Sequence, residues 1–188
     1  QVAPSLFGSF TDPALLDEIA ARSEVVTFDW ENVPAEALDR LTSRTRIAPP
    51  LIALATAQDR LLEKELFARL RVSTNRNRAV DSFAELVHAA ADIGLPGVIK
   101  TRRLGYDGKG QQVVRSQQDL EAAWQALGNA PLLYEALVPF DYEVSAIGVR
   151  GRKGDFRMYP LNRNLHKGGI LRLTRAPWKH AALERAAR

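Results

Sequence analysis

The first fifty residues alternate between apolar stripes at helical spacing and short continuous apolar runs. A helix is expected to open at Asp12-Pro13, because aspartate caps a helix and proline suits its first position. A buried strand is expected at 24–30, a second helix from Pro34 and a short strand at 46–48. This alternation predicts a parallel α/β sheet, which collects ligands at the carboxyl ends of its strands.

Residues 51–70 show the pattern of one long helix. Leu62, Leu66 and Leu70 recur at four-residue spacing, and polar residues occupy the other face. Taken alone, Arg60 fits a solvated position on that polar face. We therefore expect a connecting helix over 51–71, between an α/β remainder at 1–50 and a second unit.

The second unit, at 72–138, predicts strand, helix, two strands, helix and strand in that order. Its first helix begins with a capping box, Ser82 and Glu85, and ends at Gly94. The expected apolar stripe of this helix comprises Leu86, Val87, Ala90 and Ala91. This order of elements predicts a compact α+β unit with its own core.

From residue 139 to the end at 188, apolar and polar residues alternate with period two. Strands are expected at 142–149, 155–161 and 170–173, with a turn at 151–154, a polar connection at 162–169 and a final helix at 181–188. On the first of these strands Glu143, Ser145 and Ile147 share one face. The pattern predicts an antiparallel sheet.

Composition and charge narrow the class of ligand. The chain has 26 Lys and Arg against 22 Asp and Glu, and this mild surplus is spread too evenly to favour nucleic acid. The absence of cysteine excludes disulfides and thiolate metal sites. No apolar run approaches the ~20 residues that cross a bilayer, and no signal-peptide pattern is present. We expect a cytoplasmic protein that binds an anionic small molecule and no membrane.

The segment from Val98 to Gln111 is the strongest candidate for chemistry. An apolar strand ends at Lys100, a loop with three glycines follows, and a second strand begins at Gln111. Backbone N–H groups in such a loop form a concave anion site, and nearby basic side chains add charge. An ordinary β-hairpin has the same pattern, and no helix follows the glycines as a Walker A loop requires. Spacing alone leaves phosphate binding and a plain hairpin equally open.

The amino-acid sequence of this loop resembles that of a known enzyme family. Lys-Thr-Arg-Arg followed by Gly-Tyr-Asp-Gly-Lys-Gly-Gln resembles the phosphate-covering loop of the 5-(carboxyamino)imidazole ribonucleotide synthases, ATP-grasp enzymes of purine biosynthesis. Three further stretches match the family in order: Gln58-Asp59-Arg60-Leu61 with Lys64, Glu135-Ala136-Leu137-Val138 with Glu143, and Asn164-Leu165-His166 with Gly169-Ile170-Leu171. The segment around Glu31-Asn32 is also family-like. The resemblance covers nearly the whole chain and implies an ATP-grasp fold behind the tail of a pre-ATP-grasp domain.

The resemblance also implies roles for individual residues. For ATP it implies Arg60, Lys100, Gly105, Tyr106, Asp107, Gly108, Lys109, Gly110, Gln111, Glu135, Ala136, Leu137, Val138, Glu143 and His166. For 5-aminoimidazole ribonucleotide it implies Glu31, Tyr106, Asp107 and Lys109. It assigns no catalytic residue within the chain.

Each of these residues also has a purely structural interpretation. Glu31 fits a helix-start carboxylate, and Glu135 fits the edge of a strand. Glu143 fits a surface ion pair, and His166 fits an ordinary loop histidine. Their joint occurrence in the family's order, over about 110 residues, favours the functional interpretation.

The implied reaction is carboxylation of 5-aminoimidazole ribonucleotide with ATP and bicarbonate, through carboxyphosphate, by an ADP-forming ligase. Two alternatives remain at this point: another ATP-grasp ligase, such as a formate-dependent glycinamide ribonucleotide transformylase or a biotin carboxylase, or a nucleotide-binding fragment without chemistry. The Tyr106-Asp107 pair inside the loop weighs against the other ligases.

The chain departs from the family pattern in several places. The family's amino-terminal glycine loop, its Mg²⁺-holding carboxylates and its late basic residues have no counterpart between Gln1 and Arg188. Gly168 replaces a usual aspartate, and Asn75-Arg76-Asn77 replaces a proline-containing stretch. We therefore expect a chain truncated at both ends, with Mg²⁺ ligands downstream of Arg188. On that expectation the fragment alone is inactive and the full-length protein is a homodimer.

Overall fold

A computed structural model describes residues 4–106, 108–128 and 130–187. The amino-terminal part contains helix α1 (Pro13–Arg22), strand β1 (Val25–Val26), helix α2 (Ala35–Thr42) and strand β2 (Arg46–Ile47). The two strands pair in parallel, as the alternation predicted. Asp12 caps α1 by accepting from the backbone N–H of Ala14 at 2.9 Å. The core of this part is formed by Leu16, Ala20, Val33, Leu38, Leu41 and Leu54.

The prediction of a buried strand over 24–30 is wrong in length and burial. Only Val25 and Val26 pair with a neighbour, and Val25 is 37% exposed. Trp30 lies beyond the strand and stacks on Phe10, with their ring centroids 5.5 Å apart. Apolar residues of this segment are used in side-chain stacking outside the sheet, which periodicity does not distinguish from a buried strand.

The single long helix expected over 51–70 is two helices, α3 (Leu51–Ala57) and α4 (Arg60–Arg69). The break occurs because Asp59 adopts an extended conformation and caps α4, accepting from Leu61 N–H at 2.9 Å. The expected apolar stripe of α4 is not buried, since Leu62 is 40% exposed. The helix instead contacts the rest of the protein through its polar first turns.

The central unit is a four-stranded sheet with two helices. Its elements are β3 (Asn77–Val80), α5 (Phe83–Ile93), β4 (Gly97–Thr101), β5 (Gln111–Val114), α6 (Gln118–Leu127) and β6 (Leu132–Ala136). The strands lie in the order β3-β6-β4-β5, and every neighbouring pair is antiparallel. The predicted order of elements is therefore confirmed. Its core contains Val80, Leu86, Ala89, Ala90, Ile99, Val114, Leu120, Ala123, Leu132 and Tyr134.

Helix α5 begins and ends where the sequence predicts. Ser82 accepts from Glu85 N–H at 3.2 Å, and Gly94 ends the helix with φ +100°. The Glu85 carboxylate accepts from Asp81 N–H rather than from the capping residue. The predicted stripe is wrong at Val87, which is 41% exposed, and at Ala91, which is also exposed. The buried positions follow the spacing i, i+3, i+4 instead and are Leu86, Ala89 and Ala90.

The carboxyl-terminal part consists of β7 (Glu143–Ser145), β8 (Gly148–Arg150), β9 (Phe156–Met158), β10 (Asn162–Lys167), β11 (Ile170–Arg175) and α7 (Ala181–Ala186). β10 lies between β7 and β11, and both pairings are antiparallel. β8 and β9 form a separate hairpin. The expected antiparallel arrangement is confirmed.

Two expectations in this part are corrected. The single strand over 142–149 divides between β7 and β8, which belong to different sheets. The polar connection at 162–169 is strand β10 followed by a Gly168-Gly169 turn. β10 forms backbone hydrogen bonds on both sides, so its polar side chains do not prevent strand formation. Among the described residues, no helix has the length and apolar character to cross a membrane.

Candidate functional site

The glycine-rich segment is the connection between β4 and β5. Thr101 N–H donates to Gly110 C=O at 2.7 Å, which closes the base of the loop. Gly108 and Gly110 have φ of +76° and +70°, a conformation that favours glycine. A Cβ at Gly110 would lie 2.5 Å from Thr101 Oγ1, so this position also requires glycine for space.

Lys109 and Tyr106 contact each other within the loop. The Lys109 Nζ donates to the Tyr106 hydroxyl at 3.1 Å and lies 4.8 Å from the centre of the tyrosine ring. Tyr106 is 56% exposed, so both groups are presented to solvent at the outer side of the loop. The predicted site residue Asp107 lies outside the described residues.

The start of α4 is fixed to the end of β4. Arg60 N–H donates to Arg102 C=O at 3.0 Å, and Arg60 Nε donates to Thr101 C=O at 3.2 Å. Arg102 in turn forms a two-point ion pair with Asp59, with N···O distances of 2.9 and 2.6 Å. These contacts hold the Arg60 guanidinium beside Gly105, and a Cβ on that glycine would lie 3.2 Å from Arg60 Nη2.

Asp59 is a charged residue that is only 7% exposed. Burial raises the pKa of its carboxyl group, but the hydrogen bond and charge of Arg102 and the N–H of Leu61 outweigh burial. The net result is a pKa below the ordinary value, and Asp59 is ionised at neutral pH. The Asp59–Arg102 pair was missed at the sequence level, because its partners lie on different elements.

Glu135 on β6 is the centre of a buried charged cluster. Its Oε2 lies 2.7 Å from Lys100 Nζ, and its Oε1 lies 3.2 Å from Lys64 Nζ. The Asn75 amide donates to Glu135 Oε2 at 3.3 Å and accepts from Lys64 at 2.7 Å. Glu135 is 4% exposed, and the two lysine side chains are partly buried. The structure thus brings together Lys100 and Glu135, which the sequence singled out, with Lys64 and Asn75 in roles that it did not assign.

The electrostatics of this cluster keep the glutamate ionised. Burial alone raises the pKa of Glu135. The hydrogen bond and charge of Lys100, followed by the charge of Lys64 and the Asn75 amide, outweigh burial and bring the pKa below its ordinary value. One carboxylate is therefore paired with two lysines, and the three side chains together have a net charge of +1.

The predicted hinge, Glu135 to Val138, begins on the last two residues of β6 and continues beyond it. The Asn75 amide donates to Ala136 C=O at 2.9 Å, so that carbonyl is already hydrogen-bonded within the protein. Leu137 N–H donates to Pro96 C=O at 3.3 Å. Val138 is 48% exposed and lies in the irregular segment between β6 and β7. Val138 is the most exposed of the four hinge residues.

Glu31 lies in a recess that also includes Tyr106. The Gln58 amide donates to the C=O groups of Glu31 and Val33 at 2.8 and 2.7 Å, which attaches the segment after β1 to the end of α3. The recess has a volume of about 620 Å³ and is lined by Asp29, Trp30, Glu31, Asn32, Leu104 and Tyr106. A residue of the amino-terminal part and a residue of the glycine loop thus face one open space.

Glu143 and His166 are in contact on the second sheet. β7 and β10 pair so that Glu143 lies opposite Asn164, and a bulge between Leu165 and His166 shifts the register at the histidine. His166 Nδ1 and a Glu143 carboxylate oxygen are in close contact. Both residues line a recess of about 400 Å³ with Phe140, Asp141, Tyr142, Arg163, Asn164, Leu165, Leu173 and Arg175.

The tip of the glycine loop touches the turn between β10 and β11. A Cβ on Gly169 would lie 2.8 Å from Gly108 Cα, and a Cβ on Gly108 would lie 3.1 Å from Gly168 C=O. Gly169 has φ +77°, so both conformation and space require glycine there. The loop of the first sheet and the hairpin of the second sheet therefore meet backbone to backbone.

The described residues contain no group of three or more His, Cys, Asp or Glu side chains placed to hold a metal ion. Glu135 is occupied by two lysines, and Glu143 is in contact with His166. Within residues 4–106, 108–128 and 130–187, the side chains therefore do not form a Mg²⁺ site.

The central sheet with its glycine-rich hairpin, facing a second antiparallel sheet, is an ATP-grasp fold. Residues 65–188 match the ATP-grasp domain family, and residues 1–58 match the ribonucleotide synthetase preATP-grasp domain family. Because the first match covers more than half of the chain, the chain belongs to the ATP-grasp family. The expected fold class is confirmed.

The chain is similar in sequence to N5-carboxyaminoimidazole ribonucleotide synthases. It is 44% identical to the enzyme of Pseudomonas aeruginosa over 171 residues, which cover 91% of this chain and 48% of the relative. It is 39% identical to the enzyme of Brucella melitensis over 174 residues, or 92% of this chain and 48% of the relative. The chain thus spans about half the length of these relatives.

Solved structures of N5-carboxyaminoimidazole ribonucleotide synthases are also similar to this chain. The N5-carboxyaminoimidazole ribonucleotide synthetase of Thermus thermophilus superposes with a TM-score of 0.88 and 43% identity, covering 96% of this chain and 49% of that one. The synthase of Aspergillus clavatus, solved with ADP and 5-aminoimidazole ribonucleotide, has a TM-score of 0.86 and 27% identity, covering 96% of this chain and 47% of that one. The resemblance stated from the loop motif is confirmed.

Proposed function

We propose that this chain carries the nucleotide-binding part of an ATP-dependent ligase that carboxylates 5-aminoimidazole ribonucleotide with bicarbonate. The observation that carries the proposal is the position of the glycine loop. Its base lies beside Lys100 and Arg60, its Tyr106 shares a recess with Glu31, and its tip touches the Gly168-Gly169 turn. This loop is therefore adjacent to candidate groups for both substrates.

The phosphates of ATP would be bound by charge and by backbone groups. Lys100 lies at the end of β4, and the cluster around Glu135 has a net positive charge that favours an anion. Arg60 beside Gly105 adds a second cation, and Lys109 in the loop adds a third. In phosphoryl transfer the protein contributes mainly positioning and neutralisation of charge, which is what these groups offer.

The adenine and ribose of ATP would lie between β6 and the second sheet. Val138 N–H in the exposed hinge is the best-placed backbone donor for the adenine edge. The Ala136 carbonyl and the Glu135 carboxylate are also used inside the protein, by Asn75 and by two lysines. Glu143, beside His166 in its recess, would accept from the ribose hydroxyls.

The second substrate would occupy the recess between Glu31 and Tyr106. Glu31 offers an acceptor for the exocyclic amine of 5-aminoimidazole ribonucleotide, and Tyr106, Asp107 and Lys109 belong to the loop that covers it. Bicarbonate would attack the γ-phosphate, which forms carboxyphosphate and releases ADP. The amine would then attack the carboxyphosphate carbon, and phosphate would leave with the proton lost from nitrogen.

Other parts of the proposal rest on the family resemblance of the sequence alone. Mg²⁺ as a cofactor, bicarbonate as a co-substrate, a homodimeric full-length protein and a cytoplasmic location are features of this kind. The described residues do not form a Mg²⁺ site.

Binding of the ribonucleotide can be tested with an internal probe. Trp30 lines the same recess as Glu31 and Tyr106 and is 51% exposed. In the presence of ADP, 5-aminoimidazole ribonucleotide should change the tryptophan fluorescence, and the Trp30→Phe variant should lose the change. Glycinamide ribonucleotide is the matched competitor. A stronger response to glycinamide ribonucleotide would favour the other ATP-grasp ligases.

Binding of the nucleotide can be tested at Lys100. A hydrogen bond from a charged donor is worth about 1.5–3 kcal/mol, so Lys100→Ala should weaken ATP about tenfold to a hundredfold in isothermal titration. Lys153→Ala in the exposed turn after β8 is the control and should have no effect.

GTP should bind at least about tenfold more weakly than ATP, because the guanine carbonyl would face hydrogen-bond acceptors that the adenine amino group satisfies. Equal affinities of both nucleotides would contradict the hinge assignment.

A further inference from the structure

We infer that Lys64 is a positioning residue that compensates the charge of Glu135 and thereby releases Lys100 to bind the nucleotide phosphates. The inference rests on the proposed function, because it concerns the same nucleotide site. Lys64 lies on α4, one helical turn beyond Arg60, and reaches into the cluster from outside the central sheet.

Two cations and one neutral amide surround the Glu135 carboxylate. The carboxylate faces Lys64 from α4 and Lys100 from β4, while Asn75 from the segment before β3 is neutral. Its neighbours across the sheet, Asn77 and Val98, are also uncharged. One of the two lysines is therefore sufficient to neutralise the buried carboxylate, and the other is available to an anion.

The geometry assigns different tasks to the two lysines. Lys64 also donates to Asn75 Oδ1 at 2.7 Å, and the Asn75 amide is held by Ala136 C=O at 2.9 Å. Lys64 is therefore part of a hydrogen-bonded frame that closes on the β6 backbone. Lys100 lies on the strand that leads directly into the glycine loop. Lys100 is thus the cation next to the proposed phosphate site, and Lys64 is the one that remains with Glu135.

Removal of the Lys64 charge reverses this arrangement. Glu135, with an exposure of only 4%, would then depend on Lys100 alone. A phosphate that attracts Lys100 would leave a buried carboxylate without a cation, which is strongly unfavourable. Either Lys100 would stay paired with Glu135 and not contact the nucleotide, or Glu135 would take up a proton when the nucleotide binds.

The test uses Lys64→Gln, which retains a hydrogen-bond donor for Glu135 and Asn75 but removes the charge. ATP and ADP should bind about tenfold more weakly than to the native chain, and adenosine, which has no phosphate, should change less than about twofold. Lys64→Arg should restore binding to within about threefold, and Lys153→Gln is the matched surface control. An equal loss for adenosine and ATP would show a merely structural role and overturn the inference.

Two readouts report the coupling through Lys100 directly. The ADP dissociation constant of Lys64→Gln, divided by that of the native chain, should fall as pH decreases from neutral. This is expected because protonation of Glu135 in the variant releases Lys100. In titrations in buffers of different ionisation enthalpy, the variant should take up more protons on binding than the native chain. A ratio that is constant with pH, together with equal proton uptake, would contradict the inference.

A double-variant comparison tests the same coupling on a background that lacks the Lys100 amine. On a Lys100→Met background, Lys64→Gln and Lys64→Arg should bind ADP with equal affinity within about twofold, because no lysine remains to be released. A further tenfold difference on that background would overturn the inference. If the native chain itself binds no ATP, the proposed function fails as well; if it binds ATP and Lys64→Gln binds equally tightly, only this inference fails.

Discussion

The two antiparallel sheets that flank the candidate nucleotide site differ in how much apolar surface they bury. The sheet β3-β6-β4-β5 packs against α5 and α6 around ten buried residues. In the described part of the chain after β6, Leu161 is the only buried residue. Leu165, Leu171 and Leu173 on β10 and β11 are 59%, 49% and 46% exposed. Within this chain, which spans about half the length of its relatives, the first sheet therefore has its own core and the second has little.

This difference divides the candidate site into a rigid and a weakly supported half. Lys100 and Glu135 lie on strands of the first sheet, while Glu143 and His166 lie on strands of the second. Local stability follows buried apolar contact, so the two halves should open with different free energies. The groups proposed for phosphate would be held in place before the nucleotide binds, whereas those proposed for ribose depend on a sheet with little burial.

The largest expected effect is a contrast between two leucines. Leu86 is fully buried in the first core, so Leu86→Ala should lower the free energy of unfolding by about 2–5 kcal/mol. Leu171→Ala in β11 makes the same chemical change at a position that is 49% exposed, and should cost less than about 1 kcal/mol. Urea unfolding followed by circular dichroism measures both. Similar losses at the two positions would show that the second sheet has a core of its own.

A second effect concerns the attachment of α4 to the first sheet. Asp59→Asn keeps an oxygen that can cap α4 but removes the charge that faces Arg102 at 2.6 Å. Loss of a hydrogen bond between charged groups costs about 1.5–3 kcal/mol of stability at neutral pH. Asp119→Asn is a suitable control, because Asp119 is half-buried and accepts from the backbone N–H groups of Arg115 and Ser116 ahead of α6.

The same variant has a distinct pH dependence. The pKa of Asp59 is lowered from its ordinary value of 3.8, so the folded chain holds this carboxylate ionised more strongly than the unfolded chain does. Its contribution is therefore fully present above that ordinary value and is lost as pH falls through the lower, folded-state pKa. The stability difference between native chain and Asp59→Asn should be constant near neutrality and shrink in acid. A difference that grows in acid would contradict the pKa direction.

The sequence predicted features that depend on neighbouring residues. The capping serine at 82, the stop at Gly94 and the hairpin between Lys100 and Gln111 were all located correctly, because each is encoded within a few positions. The family motifs located the candidate site residues for the same reason. The order of helices and strands along the chain followed once these elements were recognised.

Features that depend on distant partners were not predicted. The spacing of Leu62 indicated a core residue, yet it is 40% exposed. Helix α4 is attached to the central unit through ion pairs of Asp59 and Lys64, whose partners lie about forty to seventy residues away in the sequence. The extended conformation of Asp59 divides the expected long helix for the same reason. Strand β10 was missed because its polar side chains conceal backbone pairing on both sides. Each error arose where a tertiary contact outweighed the local pattern.

The smallest expected effect lies where the two sheets meet. Gly168 and Gly169 are neighbours in one turn, with φ of +62° and +77°, so alanine at either position introduces similar backbone strain. A Cβ on Gly168 meets nothing within 4 Å, whereas a Cβ on Gly169 would lie 2.8 Å from Gly108 Cα in the glycine loop. Gly168→Ala is therefore a matched control that changes strain but not the contact.

Gly169→Ala should displace the tip of the glycine loop and weaken ATP about three- to fivefold more than Gly168→Ala does, which corresponds to about 1 kcal/mol or less. Unfolding free energies of the two variants should agree closely, because the strain is the same and neither position belongs to a core. Isothermal titration measures the affinities, and urea unfolding measures the stabilities. If the two variants bind ATP equally, the contact between loop and turn has no part in nucleotide binding, and the two sheets act on the ligand independently. A larger loss in Gly169→Ala would instead show that the rigid sheet positions its glycine loop partly against the weakly supported one.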